Sequence, residues 1–245
     1  NPRASRTVPF VSKATGVQMA KAAVLIGLGK SIAELKAEGY LPSNMDGASL
    51  PEETAIAVKA AVLPFARFRT PEGVVVDSLL SPEMRSTGEV MGLDKHYDTA
   101  FAKAQAGAGS PLPTSGKVFI SVANHDKRNV IIYAKMLESL GFEIVSTGGT
   151  AEILRRNGLN SVIVASKFAE ANGDHSIVDM VRNGDIDLIL NTPAGGAARS
   201  DGYEIRAAAV SVGCPVMTTI SEFAAAVQAI NALREHSWDI MSLQE

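Results

Sequence analysis

Two lysines, a scatter of hydroxyls and two adjacent glycines are the residues of this sequence whose types and spacing could hold an anion. Ser146-Thr147-Gly148-Gly149-Thr150 follows the apolar run Phe142-Glu143-Ile144-Val145 and precedes the helix-like Ala151-Glu152-Ile153-Leu154-Arg155-Arg156. A strand that ends in two glycines and then opens a helix turns backbone N–H groups outward. The helix N-terminus adds unpaired donors and about half a positive charge. Thr147 and Thr150 bring further hydroxyl donors, and either could cap the helix. On its own the pentapeptide reads as a tight, capped turn; its company along the chain gives it chemistry.

That company stands at the ends of other predicted strands. Ser121 falls late in one and Asn124-His125-Asp126-Lys127-Arg128 follow it, Lys167 follows another, a third runs into Asn191-Thr192-Pro193-Ala194-Gly195-Gly196 and a fourth ends at Thr218-Thr219. A lysine is a point charge for phosphate, and hydroxyls, an amide and backbone N–H groups complete its shell. Each has a plainer reading: Lys127 and Lys167 as solvated lysines, Asn191 and Thr192 as caps of the next helix. Their convergence favours a phosphate-bearing ligand. Catalytic ingredients are sparse. His125 and His175 lie in loops without a carboxylate pair or a nucleophile–base spacing. Asp126, Asp174, Asp179, Asp185 and Asp187 stand where caps and turns put aspartates. Cys214, before a proline, reads as a small buried residue. The rim reads as a binding site.

The elements that must position these residues alternate. Apolar runs at Val118–Val122, Ile144–Val145, Val162–Ala165, Leu188–Leu190 and Val216–Thr218 are interleaved with helical stretches at Asn129–Leu140, Ala151–Asn157, Ser176–Asn183, Glu204–Val212 and Ser221–Ala232. This predicts a parallel five-stranded, doubly wound α/β domain, with ligands at the carboxyl ends of its strands. Upstream, the basic stretch Asn1–Thr15 reads as a loop whose Asn1, Arg3 and Arg6 suit phosphate and metal. A helix is predicted over Gly16–Leu28, then a second from Ser31, with Glu34 completing a capping box and Gly39 and Pro42 ending it. Ala55–Phe65 reads as a strand closed by Pro64, Pro82–Gly92 as polar and turn-rich, and Asp98–Ala106 as a small helix. Ala106–Gly116 holds no large residue except Leu112 and reads as a linker. The expected division is therefore 1–105, a linker at 106–116, and 117–245.

Composition bounds the partners. The 245 residues are 46% hydrophobic and 20% charged, with room for one large domain or two small ones. A net charge of −3 provides no global basic field for nucleic acid or anionic lipid. The single cysteine excludes an internal disulfide and a cysteine-rich metal site. No apolar run is long enough for a bilayer and no signal peptide is evident, so no membrane partner and a cytoplasmic location are expected. Asn1-Pro2-Arg3 lacks an initiator methionine and reads like the interior of a longer chain.

These residues carry a resemblance. Asn-Pro-Arg-Ala-Ser-Arg-Thr-Val-Pro-Phe-Val-Ser-Lys-Ala-Thr-Gly (1–16) and Pro-Glu-Met-Arg-Ser-Thr-Gly-Glu-Val-Met-Gly (82–92) resemble the tail of the second ATP-grasp unit of the carbamoyl-phosphate synthase large subunit. Residues 117–245 resemble its methylglyoxal-synthase-like allosteric domain. The resemblance implies an α+β ATP-grasp remnant at 1–105. It also implies a nucleotide effector, UMP or in some members IMP, with phosphate held by Lys127, Thr147, Gly148, Gly149, Thr150 and Lys167, and Ser121, Asn191 and Thr192 lining the site. For the full-length enzyme it implies ATP, Mg or Mn, a glutaminase small subunit and the rest of the large subunit as partners. The product, made from bicarbonate and glutamine-derived ammonia, feeds pyrimidine and arginine synthesis. Asn1 matches a metal ligand whose acidic companions are absent here, and Arg3 and Arg6 are half of an ATP site. The chain alone is thus expected to bind no cofactor and to make no carbamoyl phosphate. Ala60 stands where many members carry a glutamate that helps bind the activator ornithine, which puts ornithine activation in doubt. A catalytic methylglyoxal synthase, using Asp126 or Asp174 as acid–base, or a purine cyclohydrolase-type domain would share the cradle, but residues 1–105 have no place in either. A purely structural interaction module would leave the converging lysines unexplained.

Overall fold

The computed structural model describes residues 5–44, 53–67, 77–80, 83–166, 176–193, 198–235, 238–240 and 242. Three helices open it: α1 (Thr7–Thr15), α2 (Met19–Gly27) and α3 (Ile32–Ala37). The predicted capping box is present at α3. Ser31 Oγ accepts the Glu34 N–H at 3.2 Å, and the Glu34 carboxylate accepts the Ser31 N–H at 2.7 Å. Helix α1 replaces the expected basic loop. Its N-cap, Arg6, makes no side-chain capping bond, so no local start signal marks it. Arg6 instead bonds Ser86 Oγ at 3.0 Å and faces Glu89 at 3.7 Å, residues about eighty positions away.

Strands β1 (Ile56–Val62) and β2 (Gly88–Asp94) form an antiparallel ribbon, Ile56 opposite Asp94 and Val62 opposite Gly88. Part of the stretch read as turn-rich is therefore β2. Its polar Gly-Glu start hides a strand that is specified by its pairing with β1. Helix α4 (Tyr97–Gly107) crosses this ribbon closely enough that a side chain on Gly92 would overlap the Ala100 carbonyl oxygen. Lys103 Nζ adds an ion pair to Asp94 at 2.8 Å.

The remaining strands are β3 (Lys117–Ser121), β4 (Glu143–Ser146), β5 (Ile163–Val164), β6 (Leu188–Asn191) and β7 (Val216–Met217), all parallel in the order β5-β4-β3-β6-β7. Helices α5 (Lys127–Ser139), α6 (Gly148–Arg156), α7 (Ile177–Arg182), α8 (Ala198–Val212) and α9 (Ile220–Glu235) connect or follow them. The alternation along β3 shows both faces are covered. Val118 and Ile120 join one core with residues of α4, α5, α6 and α9, while Phe119 joins a second with residues of α7 and α8. The predicted doubly wound α/β sheet is thus observed. Among the described residues no helix is long and apolar enough to cross a membrane.

The stretch expected as a linker is packed at its middle. Leu112 is buried, in the same core as Phe101 and Ala102 of α4 and Phe223 and Ala226 of α9. Its neighbours Ser110, Pro111 and Pro113 are small or helix-breaking, which is why the surrounding sequence looks like a spacer.

Candidate functional site

From β3 the chain winds outward through β4 and β5 on one side, then returns to lay down β6 and β7 on the other. The order reverses between β3 and β6, and the carboxyl ends of the strands at such a reversal are the general ligand position, the crevice, of open α/β sheets. Ser121 and Asn191 are register partners at that point, each the last residue of its strand. Ser121 Oγ lies 3.2 Å from Thr147 Oγ1, which joins the ends of β3 and β4 through two hydroxyls that retain capacity for a further partner.

Thr147 is the N-cap of α6, with extended φ and ψ of −70° and 152°, yet makes no side-chain capping bond. The Gly148 and Gly149 N–H groups are therefore left without a side-chain cap at the rim, while the Thr150 N–H is held by the Thr147 carbonyl at 3.0 Å. Gly148 and Gly149 form that first turn themselves rather than a loop before it, and both are exposed. Lys127 reaches the same place from the first turn of α5. Its Nζ lies 3.3 Å from where a side chain on Gly149 would begin, and Lys127 has no ion pair among the described residues. A half-buried ammonium thus sits between the positive ends of two helices. That arrangement is unfavourable without an anion and favourable with one.

Other expected residues hold the rim from below. Thr150 is 2% exposed and its Oγ1 accepts the Val122 N–H at 3.4 Å. Thr192 is 7% exposed and its Oγ1 accepts the next N–H, that of Ala123, at 2.9 Å. The exit of β3 is therefore clamped from both sides by hydroxyls. Ser146, fully buried, donates to the Ile120 carbonyl at 2.6 Å and fixes β4 against β3.

Asn191, 7% exposed, accepts at Oδ1 from Arg206 Nη1 at 2.7 Å. Arg206 on α8 is the largest fully buried side chain described, and its fork engages Asp77 through Nε to Oδ1 and Nη2 to Oδ2, both at 2.7 Å. A bidentate pair of this kind offsets the desolvation of a buried guanidinium, and removing one partner costs about 3–5 kcal/mol. Sequence reading missed both residues: an arginine in a helix looks solvent-facing, and Asp77 is 129 positions away. One local signal was present. Gly202 lies inside α8, and a side chain there would overlap Arg206 Nη1 and Asn191 Oδ1.

At the end of β7, Thr219 Oγ1 accepts the Glu222 N–H at 3.2 Å, and the Glu222 carboxylate accepts the Thr218 N–H at 3.3 Å. Burial pushes the Glu222 carboxyl above the usual range, while the Thr218 bond pulls it partly back. His125 Nε2 lies 3.3 Å from Asp126 Oδ2, with the His125 side chain 74% exposed. Burial pushes the Cys214 thiol up to about 12, the charge of Asp187 adding to the shift, which leaves it unreactive at neutral pH.

The structure brings together Ser121, Lys127, Thr147, Gly148, Gly149, Thr150, Asn191 and Thr192. Lys167, Asp174, His175, Gly195 and Gly196 lie outside the described residues, as do Asn1 and Arg3. Arg6 is engaged by Ser86 and Glu89, and among the described residues no three His, Cys, Asp or Glu come together as a metal site. Ala60 lies within β1, opposite Val90 of β2, and offers no polar side-chain atom.

The family model described as MGS-like domain matches residues 129–218. Proteins named carbamoyl phosphate synthase large chain match the whole chain. That of Kocuria rhizophila is 70% identical over 247 residues, covering 100% of this chain and 22% of the relative. Those of Micrococcus luteus and Corynebacterium glutamicum are 64% and 57% identical over 248 residues each, with the same coverage. The chain spans about a fifth of the length of the relatives it matches.

Proposed function

We propose that this chain, homologous from end to end to a segment of the carbamoyl phosphate synthase large chains, is their C-terminal regulatory region and binds a nucleoside monophosphate at the crevice between β3 and β6. The carrying observation is Lys127 Nζ poised over the Gly148-Gly149 turn beside the paired hydroxyls of Ser121 and Thr147. A phosphate seated there relieves the repulsion between the lysine and two helix N-termini, and Lys167 supplies a second cation. UMP is the effector we put first and IMP second. The whole-length homology supports this reading over a free-standing methylglyoxal synthase or purine cyclohydrolase, because it includes residues 1–105.

In the longer protein the region belongs to an ATP-dependent ligase that makes carbamoyl phosphate from bicarbonate and glutamine-derived ammonia in the cytoplasm, serving pyrimidine and arginine synthesis. Residues 1–105 are the remnant of its second ATP-grasp unit. ATP and Mg or Mn are then bound by the remainder of that unit together with Asn1, Arg3 and Arg6, and a glutaminase subunit is its partner. The test is calorimetry on the 245-residue chain with UMP, IMP and uridine. UMP or IMP binding with uridine much weaker is expected; equal binding of uridine overturns the phosphate reading.

A further inference from the structure

We propose that Arg206 is the positioning residue of the crevice: it turns the Asn191 carboxamide so that its N–H donors face the ligand, and Asp77 fixes Arg206 in place. The inference rests on the nucleotide reading above. A guanidinium only donates, so the carboxamide must offer Arg206 its oxygen, and the observed Nη1–Oδ1 bond at 2.7 Å has this form. Both hydrogens on Nδ2 are then left for the rim, where Asn191 is the register partner of Ser121. Asn191 thereby becomes an obligate donor beside the cradle, the polarity an anionic or carbonyl-bearing ligand needs.

Two further observations show the orientation is built in. Arg206 is fully buried and held at Nε and Nη2 by both carboxylate oxygens of Asp77, so it cannot swing away from Asn191. Position 202 is glycine, and any side chain there would occupy the space of the Arg206–Asn191 bond. The anchor comes from residues 77–80, upstream of α4 and outside the five-stranded sheet. Ligand held by Asn191 is therefore linked, through one guanidinium, to a segment of the other half of the chain. By reciprocity, whatever moves Asp77 changes ligand affinity.

The experiment uses the 245-residue chain, UMP as probe, and three variants: Gly202→Ala, Asp77→Asn and Arg206→Lys. Each is measured by calorimetry, by thermal melting in the absence of UMP, and by the side-chain amide resonance of Asn191 in nitrogen-15 spectra. Gly202→Ala parts the pair without altering any charge, and Asp77→Asn loosens the anchor while keeping its shape. The expected result is a shifted Asn191 Nδ2 signal without ligand in every variant, and UMP binding weakened about tenfold, the loss of one oriented hydrogen bond. Folded variants that bind UMP within twofold of the unaltered chain overturn the positioning role and leave the nucleotide reading intact. If the unaltered chain binds neither UMP nor IMP, the nucleotide reading fails. The amide resonance still decides the relay in that case, and a signal unchanged in Asp77→Asn and Gly202→Ala refutes it. Should Arg206→Lys not fold, the other two variants carry the test.

Discussion

Replacing Lys127 with methionine should separate binding from folding, because the lysine is placed at an electrostatic cost to the empty chain. Its ammonium stands at the first turn of α5 and beside the first turn of α6, and it has no ion pair among the described residues. A cation at one helix N-terminus costs about 0.3–1 kcal/mol. Two such ends, one of them the lysine's own, make about 1 kcal/mol a reasonable sum. Methionine keeps the apolar stem and a similar helix propensity. Lys127→Met should thus melt about 2–4 °C higher than the unaltered chain without ligand. The bound state reverses the order. A charge-assisted hydrogen bond contributes about 1.5–3 kcal/mol, so UMP affinity should fall about ten- to a hundredfold. At a UMP concentration of about 100 times the original Kd, ligand stabilises the unaltered chain by about 2.7 kcal/mol. It stabilises the variant by only about 0.4–1.4 kcal/mol. Thermal melts with and without UMP read both numbers from one sample. A variant that melts lower when empty yet keeps its full ligand shift would show that Lys127 holds the fold and not the phosphate, and would refute the argument.

Three other perturbations test the frame. A chain beginning at residue 95 should melt several degrees above one beginning at 117, since the shorter piece loses Phe101, Ala102 and Leu112 from the core; Leu112→Ala in the full chain should cost about 2–5 kcal/mol by denaturant titration. Gly92→Val should destabilise the chain by about 1–3 kcal/mol or more, because α4 must lift off β2, and circular dichroism during a urea titration would register it. Glu222→Gln should stabilise the chain at neutral pH. The native carboxyl, raised from 4.5, holds its proton more tightly than the unfolded one, so the native state loses stability as pH climbs from about that value through the raised one. The gain from glutamine should vanish below that window, and melting curves at pH 4 and pH 7.5 would show it.

How far the sequence could be read depended on whether the signal was local. The five-stranded sheet was legible because β3 to β7 each carry an apolar run between helical stretches, and the capping box of Ser31 and Glu34 is written in four residues. Strand β2 and helix α1 were not, because pairing with β1 specifies one and contacts to Ser86 and Glu89 anchor the other. Leu112 was visible as the one large residue in its stretch, but nothing near it foretold that α4 and α9 would cover it. At the site, the glycine turn and Lys127 could be assigned from strand ends alone. Which hydroxyls face the crevice and which hold it could not: Thr147 and Thr150 look equivalent in sequence, and the helical turn between them sends one to the rim and buries the other.

The hydroxyl clamp on the exit of β3 has a kinetic consequence. With the Val122 and Ala123 amides held by Thr150 and Thr192, the backbone there is fixed before any ligand arrives. The β3 edge of the crevice is then settled during folding, and its ordering adds no cost to association. Those two amide protons should exchange with solvent far more slowly than their neighbours at Asn124 and His125, and a nucleotide should bind in a single phase whose rate rises linearly with its concentration.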